Sequence, residues 1–210
     1  MQGALTIRTV RPTWSREMDV KIWMKGKDYS VILITAPARE KGVAFLRRKK
    51  EVWNWIPTLE RSVRLPPSMM TQSWMGTDFT NDDLVKESSI IEDYNHHLLR
   101  DTIINGQTCY CIELIPKPDA AVVWGRLMML VDQVNFLEVQ VRFYDEDDLL
   151  VSVMNAYDVT RMGGRLIPAR VEMIPTTKKN QRTEIIYHWL RFNDPIDEAF
   201  FTLDRLRNLN

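Results

Sequence analysis

The chain has 210 residues, enough for one substantial hydrophobic core, and we expect a single domain over residues 1–210. Lysine and arginine number 28, as do aspartate and glutamate, so no overall field favours nucleic acid or an anionic membrane surface as a partner. Hydrophobic residues make up 45% of the chain, yet no window approaches the ~20 apolar residues that cross a bilayer.

Alternating apolar and polar residues predict antiparallel strands throughout the first third of the chain. Val20, Ile22 and Met24 alternate with charged and aromatic neighbours, which predicts that one face of their strand is buried. The basic run at residues 47–50 is interpreted as a solvated hairpin tip. The predicted strands cover residues 5–10, 18–25, 28–35, 43–47, 51–57 and 61–65.

The remainder of the chain continues this pattern. Asn105 and Gly106 are a strong hairpin signal because both residues tolerate the positive φ of a type I′ turn. The acidic run at 145–148 lacks the glycine and the distal glutamate of a calcium-binding loop, so a solvated turn is favoured. The predicted strands cover residues 89–100, 107–115, 125–131, 137–144, 149–159, 165–174 and 182–192.

Helical signals are few. Thr80 followed by Asp83 resembles an N-cap with an acidic third position and predicts a short helix over residues 81–86. Further short helices are predicted at 68–74 and 197–201. About eleven antiparallel strands, interrupted between residues 67 and 88, predict a mainly β fold in which a highly curved sheet carries a helical plug or lid.

The most unusual segment is rich in methionine and tryptophan. Within residues 68–79 the apolar side chains are Met69, Met70, Trp74, Met75 and Phe79. Flexible, polarizable thioethers either fill an irregular gap in a core or build an adaptable apolar surface. On the preceding strand Trp53 and Trp55 share one face while the opposite face is also apolar, so two apolar layers need cover. Both interpretations, a core closed by a plug and a concave ligand site, remain open from periodicity.

The sequence offers little for catalysis. No nucleophile-elbow, zinc-protease, P-loop or dinucleotide motif is present. His96 and His97 are adjacent on a predicted strand and point to opposite faces, so they predict no metal site. Cys109 and Cys111 are two apart, about 7 Å between Cα atoms on a strand, which favours two buried apolar side chains over a disulfide. We expect a non-enzymatic protein with no catalytic residue, metal or cofactor.

Several motifs resemble a known family. The run Trp53-Asn54-Trp55-Ile56-Pro57, the methionine-rich segment and residues 76–84 are similar to the outer-membrane lipoprotein-sorting proteins of the LolA/LolB-like superfamily. The resemblance extends upstream to residues 11–14 and 25–26 and downstream to residues 163–169 and 201–202. It therefore covers most of the chain, although each motif is short.

The resemblance implies one LolA-like domain, an unclosed antiparallel β-barrel of about eleven strands with helices over a hydrophobic cavity. It implies a periplasmic carrier that holds lipoprotein acyl chains or other lipids for transport to the outer membrane, without a cofactor. The implied protein partners are an inner-membrane exporter and an outer-membrane acceptor. Transient contact with a membrane is also implied. The residues expected to line the cavity and lid are Trp53, Trp55, Met69, Met70, Trp74, Met75, Phe79, Val20, Ile22 and Met24.

The sequence departs from that family at two points. Family members usually begin with a long amphipathic helix, whereas this chain opens almost directly into a predicted strand, and we expect that an export signal was removed. The carriers latch their lid with an arginine in an early hairpin, where this chain has Lys25-Gly26-Lys27. A periplasmic sensor of mislocalised lipoproteins, which has a related fold, is the alternative function.

Overall fold

The computed structural model describes residues 1–49, 51–85, 89–120 and 122–209. Fourteen strands and three short α-helices form over these residues. The strands are β1 (Gln2–Val10), β2 (Ser15–Lys25), β3 (Tyr29–Ala36), β4 (Ala44–Arg48), β5 (Glu51–Ile56), β6 (Arg61–Arg64), β7 (Tyr94–Leu98), β8 (Thr102–Ile104), β9 (Gln107–Pro116), β10 (Arg126–Asp132), β11 (Glu138–Tyr144), β12 (Leu150–Met162), β13 (Arg165–Pro175) and β14 (Arg182–Arg191). The helices are α1 (Asn81–Val85), α2 (Ser89–Glu92) and α3 (Leu203–Arg207).

All fourteen strands belong to one antiparallel sheet. Its order is β6-β5-β4-β3-β2-β1-β14-β13-β12-β11-β10-β9-β7, and β8 also pairs with β9. The register joins β1 to β14 from Gln2 opposite Arg191 to Val10 opposite Arg182. Among the described residues β6 and β7 do not pair, so the sheet is unclosed. Register shifts at Asp19/Val20 in the β2–β3 pair and at Ala4/Leu5 in the β1–β14 pair add local bends, which favour a curved sheet.

The unclosed antiparallel architecture is confirmed, but the strand count of about eleven is too low. The three-residue strand β8 is too short to show an alternating pattern. The prediction of one strand over 89–100 is wrong, because residues Ser89–Glu92 form α2 and β7 begins only at Tyr94. The helical turn of α2 places Ile90 against the apolar interior of the sheet.

The segment after β6 crosses the concave side of the sheet, and we call residues 66–85 the plug. The predicted helix over 68–74 is replaced by two single 3₁₀ turns, Pro67–Met69 and Trp74–Gly76, because the backbone of Ser73 between them is not helical, with ψ of 125°. The predicted N-cap is correct and α1 spans Asn81–Val85, while residue 86 of that prediction lies outside the described residues. At the C-terminus a 3₁₀ turn at Glu198–Phe200 precedes α3.

The first strands of the sheet are apolar on both faces. On β3 the side chains of Ile32 and Ile34 join the inner core, while Val31 and Leu33 join a second cluster on the outer face. The plug covers the inner face, and the C-terminal segment with α3 covers the outer face through Phe201 and other apolar residues. Because other parts of the chain cover both faces, these strands carry apolar residues on both faces and do not alternate between apolar and polar residues.

We predict that Phe201→Ala lowers the free energy of unfolding by roughly 3–5 kcal/mol, because its fully buried ring packs on Tyr29 with centroids 5.6 Å apart and no solvent can replace that contact. Chemical denaturation with intrinsic fluorescence measures the change. Phe200→Ala is the matched control, since Phe200 is only partly buried and should cost less. An equal loss for both variants would contradict the assigned role of the outer cluster.

Candidate functional site

A cavity of about 260 Å³ lies between the inner face of the sheet and the plug. Its wall comes from strands far apart in sequence, since β1, β2, β10–β14 and the plug all contribute side chains. Residues that form the apolar wall include Leu5, Val20, Leu127, Phe143, Val171 and Ile185. The arrangement can exclude water from a small apolar guest.

The plug supplies the roof of the cavity. Trp74 is fully buried, its ring lies 5.4 Å from that of Phe45, and its Nε1 has no hydrogen-bond partner in the described structure. A tight turn fixes this ring, because the backbone N–H of Trp74 donates to the carbonyl of Phe79 at 2.8 Å. The hydroxyl of Thr77 closes the same turn by donating to the carbonyl of Trp74 at 2.7 Å. Trp74 and Phe79 therefore present a preformed apolar surface to the cavity.

One side of the plug is attached to the sheet by a buried ion pair. Nη1 of Arg11 lies 2.8 Å from Oδ2 of Asp78, and both side chains are largely buried. Nη2 of Arg11 also donates to the carbonyl of Gly76 at 3.0 Å. Thr183 on β14 completes the attachment: its hydroxyl accepts from the backbone N–H of Asp78 and donates to the Asp78 carboxylate. Arg11, rather than a residue of the early hairpin, thus holds this plug.

A second attachment joins the plug to the segment between β9 and β10. The indole N–H of Trp124 donates to Oδ1 of Asp83 at 2.8 Å, while the backbone N–H of Thr80 donates to Oδ2 at 2.8 Å. Burial raises the pKa of the Asp83 carboxyl, and these hydrogen bonds oppose that rise only in part. Burial and the nearby carboxylates, Asp82 first among them, also raise the pKa of the Tyr94 phenol. The cavity therefore has a weakly acidic polar corner in a mostly apolar wall.

The structure separates the ten residues that the sequence assigned to the cavity and lid. Val20, Ile22, Trp74 and Phe79 line the cavity. Met70 is buried in the inner core beside it, and Met69 and Met75 pack against that core. The register of β2 with β3 gives Met24 the face of Val20 and Ile22, but Met24 is not among the lining residues.

Trp53 and Trp55 lie on the outer face instead of in the cavity. The alternation of β5 sends Val52 to the inner core and these two rings to the outer cluster. Trp55 lies close to the guanidinium of Arg207, whose Cζ is 5.8 Å from the ring centroid. The assignment of both tryptophans to the cavity wall is therefore corrected, because the C-terminal segment covers that face.

The second half of the wall was missed as a site, although its strands were predicted. Val171 and Met173 alternate with Arg170 and Glu172, which signals an inner face but does not show that the face borders a cavity. Among the described residues, no three or more His, Cys, Asp or Glu side chains come together to hold a metal. Both cysteines are free. The described helices are all too short or too polar to cross a membrane.

The large unclosed antiparallel sheet is a LolA-like fold. The structure aligns with a LolA superfamily protein from Nitrosomonas europaea at a TM-score of 0.83 and 25% identity, covering 97% of this chain and 90% of the other. A domain described as an outer membrane lipoprotein-sorting protein from Vibrio parahaemolyticus gives 0.86 and 22%, covering 98% and 90%. A DUF1329 family protein from Desulfovibrio piger gives 0.88 and 21%, covering 98% and 90%.

Residues 26–208 match a family model described as an uncharacterized protein, and the chain belongs to that family. A comparison with curated proteins gives no match. The resemblance to the LolA/LolB-like superfamily that the motifs suggested is confirmed.

Replacing Asp78 by asparagine should loosen the plug, because the Arg11 guanidinium then stays buried without its counter-charge. Breaking a buried pair in this way costs about 3 kcal/mol or more. Hydrogen exchange measured by mass spectrometry should show faster exchange confined to the plug. The control is Arg64→Gln, which removes the exposed pair with Glu51 and should change stability by less than ~1 kcal/mol. Unchanged exchange in the Asp78 variant would show that this pair does not hold the plug.

The raised pKa of Asp83 predicts a particular pH dependence. In the window above the ordinary aspartate pKa, the folded protein retains a proton at Asp83 that the unfolded chain has released, so this group's contribution to stability falls as pH rises through the raised value. Asp83→Asn removes that term, so the variant should gain stability relative to the wild type as pH increases from about 4 to 7. Urea unfolding at several pH values tests the sign; a constant difference would contradict it.

Proposed function

We propose that the protein is a carrier of the bacterial envelope that holds lipoprotein acyl chains or other lipids in the cavity under the plug. The observation that carries this proposal is the apolar cavity itself, whose roof is a separate segment and not a strand of the sheet. The names of two aligned proteins, a lipoprotein-sorting domain and a LolA superfamily protein, support the same class of function. No catalytic chemistry is assigned to the site.

Such a cavity binds hydrocarbon by excluding water. Each fully buried methylene contributes about 0.8 kcal/mol, and ordering a flexible chain offsets part of that gain. The wall is mostly apolar, and its carboxyl groups are Asp82, Asp83 and Glu138, so few contacts depend on the chemistry of the headgroup. We expect affinity to depend on the amount of hydrocarbon buried and only weakly on its identity.

The plug suits a release step because polar contacts attach it to the sheet. Arg11 and Thr183 hold one side and Trp124 holds the other, so the plug can detach without breaking a strand pairing. Met69, Met70 and Met75 give the plug unbranched side chains that repack around different chains. Loading by an inner-membrane exporter and delivery to an outer-membrane acceptor, in the periplasm, complete the proposed role.

Filling the cavity should abolish lipid binding while the fold persists. Val171 lies on the wall and is only partly buried, so Val171→Phe places a ring in the cavity instead of in close-packed core. We expect at least a tenfold loss of affinity for a fatty alcohol, measured by the change in tryptophan fluorescence, because Trp74 and Trp124 line the same cavity.

The matched control is Val159→Phe, which adds the same ring at a half-exposed position of the neighbouring strand β12. It should bind like the wild type. Thermal unfolding of both variants must show a folded protein. Equal binding by the wild type and Val171→Phe would overturn the assignment of the cavity as the lipid site.

A further inference from the structure

Four of the most exposed large apolar side chains lie together at one end of the sheet, and we call them the rim. They are Leu98 (67% exposed), Ile103 (72%), Val134 (80%) and Phe136 (69%). Ile103 lies opposite Thr108 on β9, and the carbonyl of Thr108 accepts from the backbone N–H of Gln133 beside Val134. The ring of Phe136 stacks on Tyr110 of β9 with centroids 6.3 Å apart. The register thus gathers residues from three separate turns and strands.

Most of the rim belongs to the concave face that also forms the cavity. Leu114 of β9 lies opposite Leu127, which lines the cavity. Because alternate residues of a strand share a face, Ile112, Tyr110 and Thr108 lie on the same face of β9 as Leu114. Leu98 lies opposite Ile112 and Ile103 opposite Thr108, so both share that face.

The cavity and the rim meet at the start of β11. Glu138 lines the cavity and lies opposite Val131, which in turn lies opposite Tyr110. Tyr110 carries the stacked ring of Phe136. A wall that is apolar apart from Glu138 therefore continues past the end of the cavity into solvent.

The turn that presents Val134 and Phe136 is rigidly built. The buried carboxylate of Asp132 accepts from the backbone N–H of Asn135 at 2.7 Å and from its side-chain amide at 3.1 Å. Phe136 has a left-handed backbone with φ of 55°, a conformation that a bulky residue rarely adopts. The turn thus holds the Phe136 ring outward, where it adds no buried area to the hydrophobic core. Backbone strain of this kind often marks a functional position.

The volume of the cavity indicates what the rim contacts. At about 260 Å³ the cavity falls just below the range of roughly 300–1,000 Å³ typical of sites that enclose a small molecule. We propose that the rim carries the distal part of an acyl chain whose first part fills the cavity. The preferred ligands are then chains too long for the cavity to enclose. This inference rests on the proposed lipid-binding function and adds the length of the ligand to it.

The test is a series of straight-chain fatty alcohols from octanol to octadecanol, which keeps the headgroup neutral and constant. Binding to the full chain is followed by tryptophan fluorescence at alcohol concentrations below the solubility limit of each alcohol in water. A fully buried methylene raises affinity about fourfold, and one that rests on an open face should raise it about twofold. Wild-type affinity should therefore rise steeply at first and more gently for longer chains, without a plateau.

The rim variant combines Ile103→Ser with Phe136→Asn, because asparagine tolerates the left-handed backbone at that position. It should bind octanol as the wild type does and lose part of the gain for the longer alcohols, at least tenfold at octadecanol. Leu149→Ser is the matched control, since Leu149 is 63% exposed and belongs to neither the rim nor the cavity wall. It should leave the whole series unchanged.

Any one of the following results would overturn the inference. A wild-type plateau after the shortest chains, or a rim variant with the full gain, would show that the rim does not contact the ligand while leaving the cavity as the lipid site. A rim variant that instead changes the sedimentation coefficient or the binding of phosphatidylcholine vesicles would assign the rim to a second copy or to a membrane surface. Failure of every alcohol to bind the wild type would remove the proposed function as well.

Discussion

The structure depends on the need to cover a sheet that is apolar on both faces. Strands β3 to β5 carry large side chains inward and outward, and an exposed apolar face of that size would be costly in water. The chain meets this requirement with two different covers, the plug on the concave side and the C-terminal segment on the convex side. The convex cover packs closely through Phe201 and Leu206. The concave cover leaves an apolar cavity, and that cavity is the candidate site.

The difference between the two covers lies in how each is held. Ring packing and buried leucine hold the C-terminal segment, together with hydrogen bonds from Tyr29 to Glu198 and from Gln2 to Asp194. The plug is held by polar groups at Arg11, Thr183 and Trp124, and its Arg11–Asp78 ion pair is largely buried. Apolar packing is hard to undo without exposing surface to water, while a small set of hydrogen bonds can exchange with solvent or with another partner. A binding protein that must both enclose and release a guest benefits from that division.

Much of the fold could be predicted from the sequence, because alternation and turn residues are local signals. The face of β2 that holds Val20 and Ile22 was readable because the other face is polar. Which face of β5 points toward the inner core could not be predicted, because both of its faces are apolar and the helix that covers Trp55 is only five residues long. The Arg11–Asp78 ion pair joins residues 67 positions apart, so no local pattern could reveal it. Strand β8, which is three residues long, lies in none of the predicted strand ranges.

Placing β1 between β2 and β14 imposes an order on folding. Hairpins such as β2–β3 and β12–β13 join neighbouring residues and can form early, but one edge of β1 has no partner until residues 182–191 are available. Pairing across nearly the whole sequence is slow, because the entropy of closing so large a loop must be overcome before the contacts form. During that interval the unpaired backbone edge of β1 is open to other chains, so a folding helper that shields β1 would raise the yield of native protein.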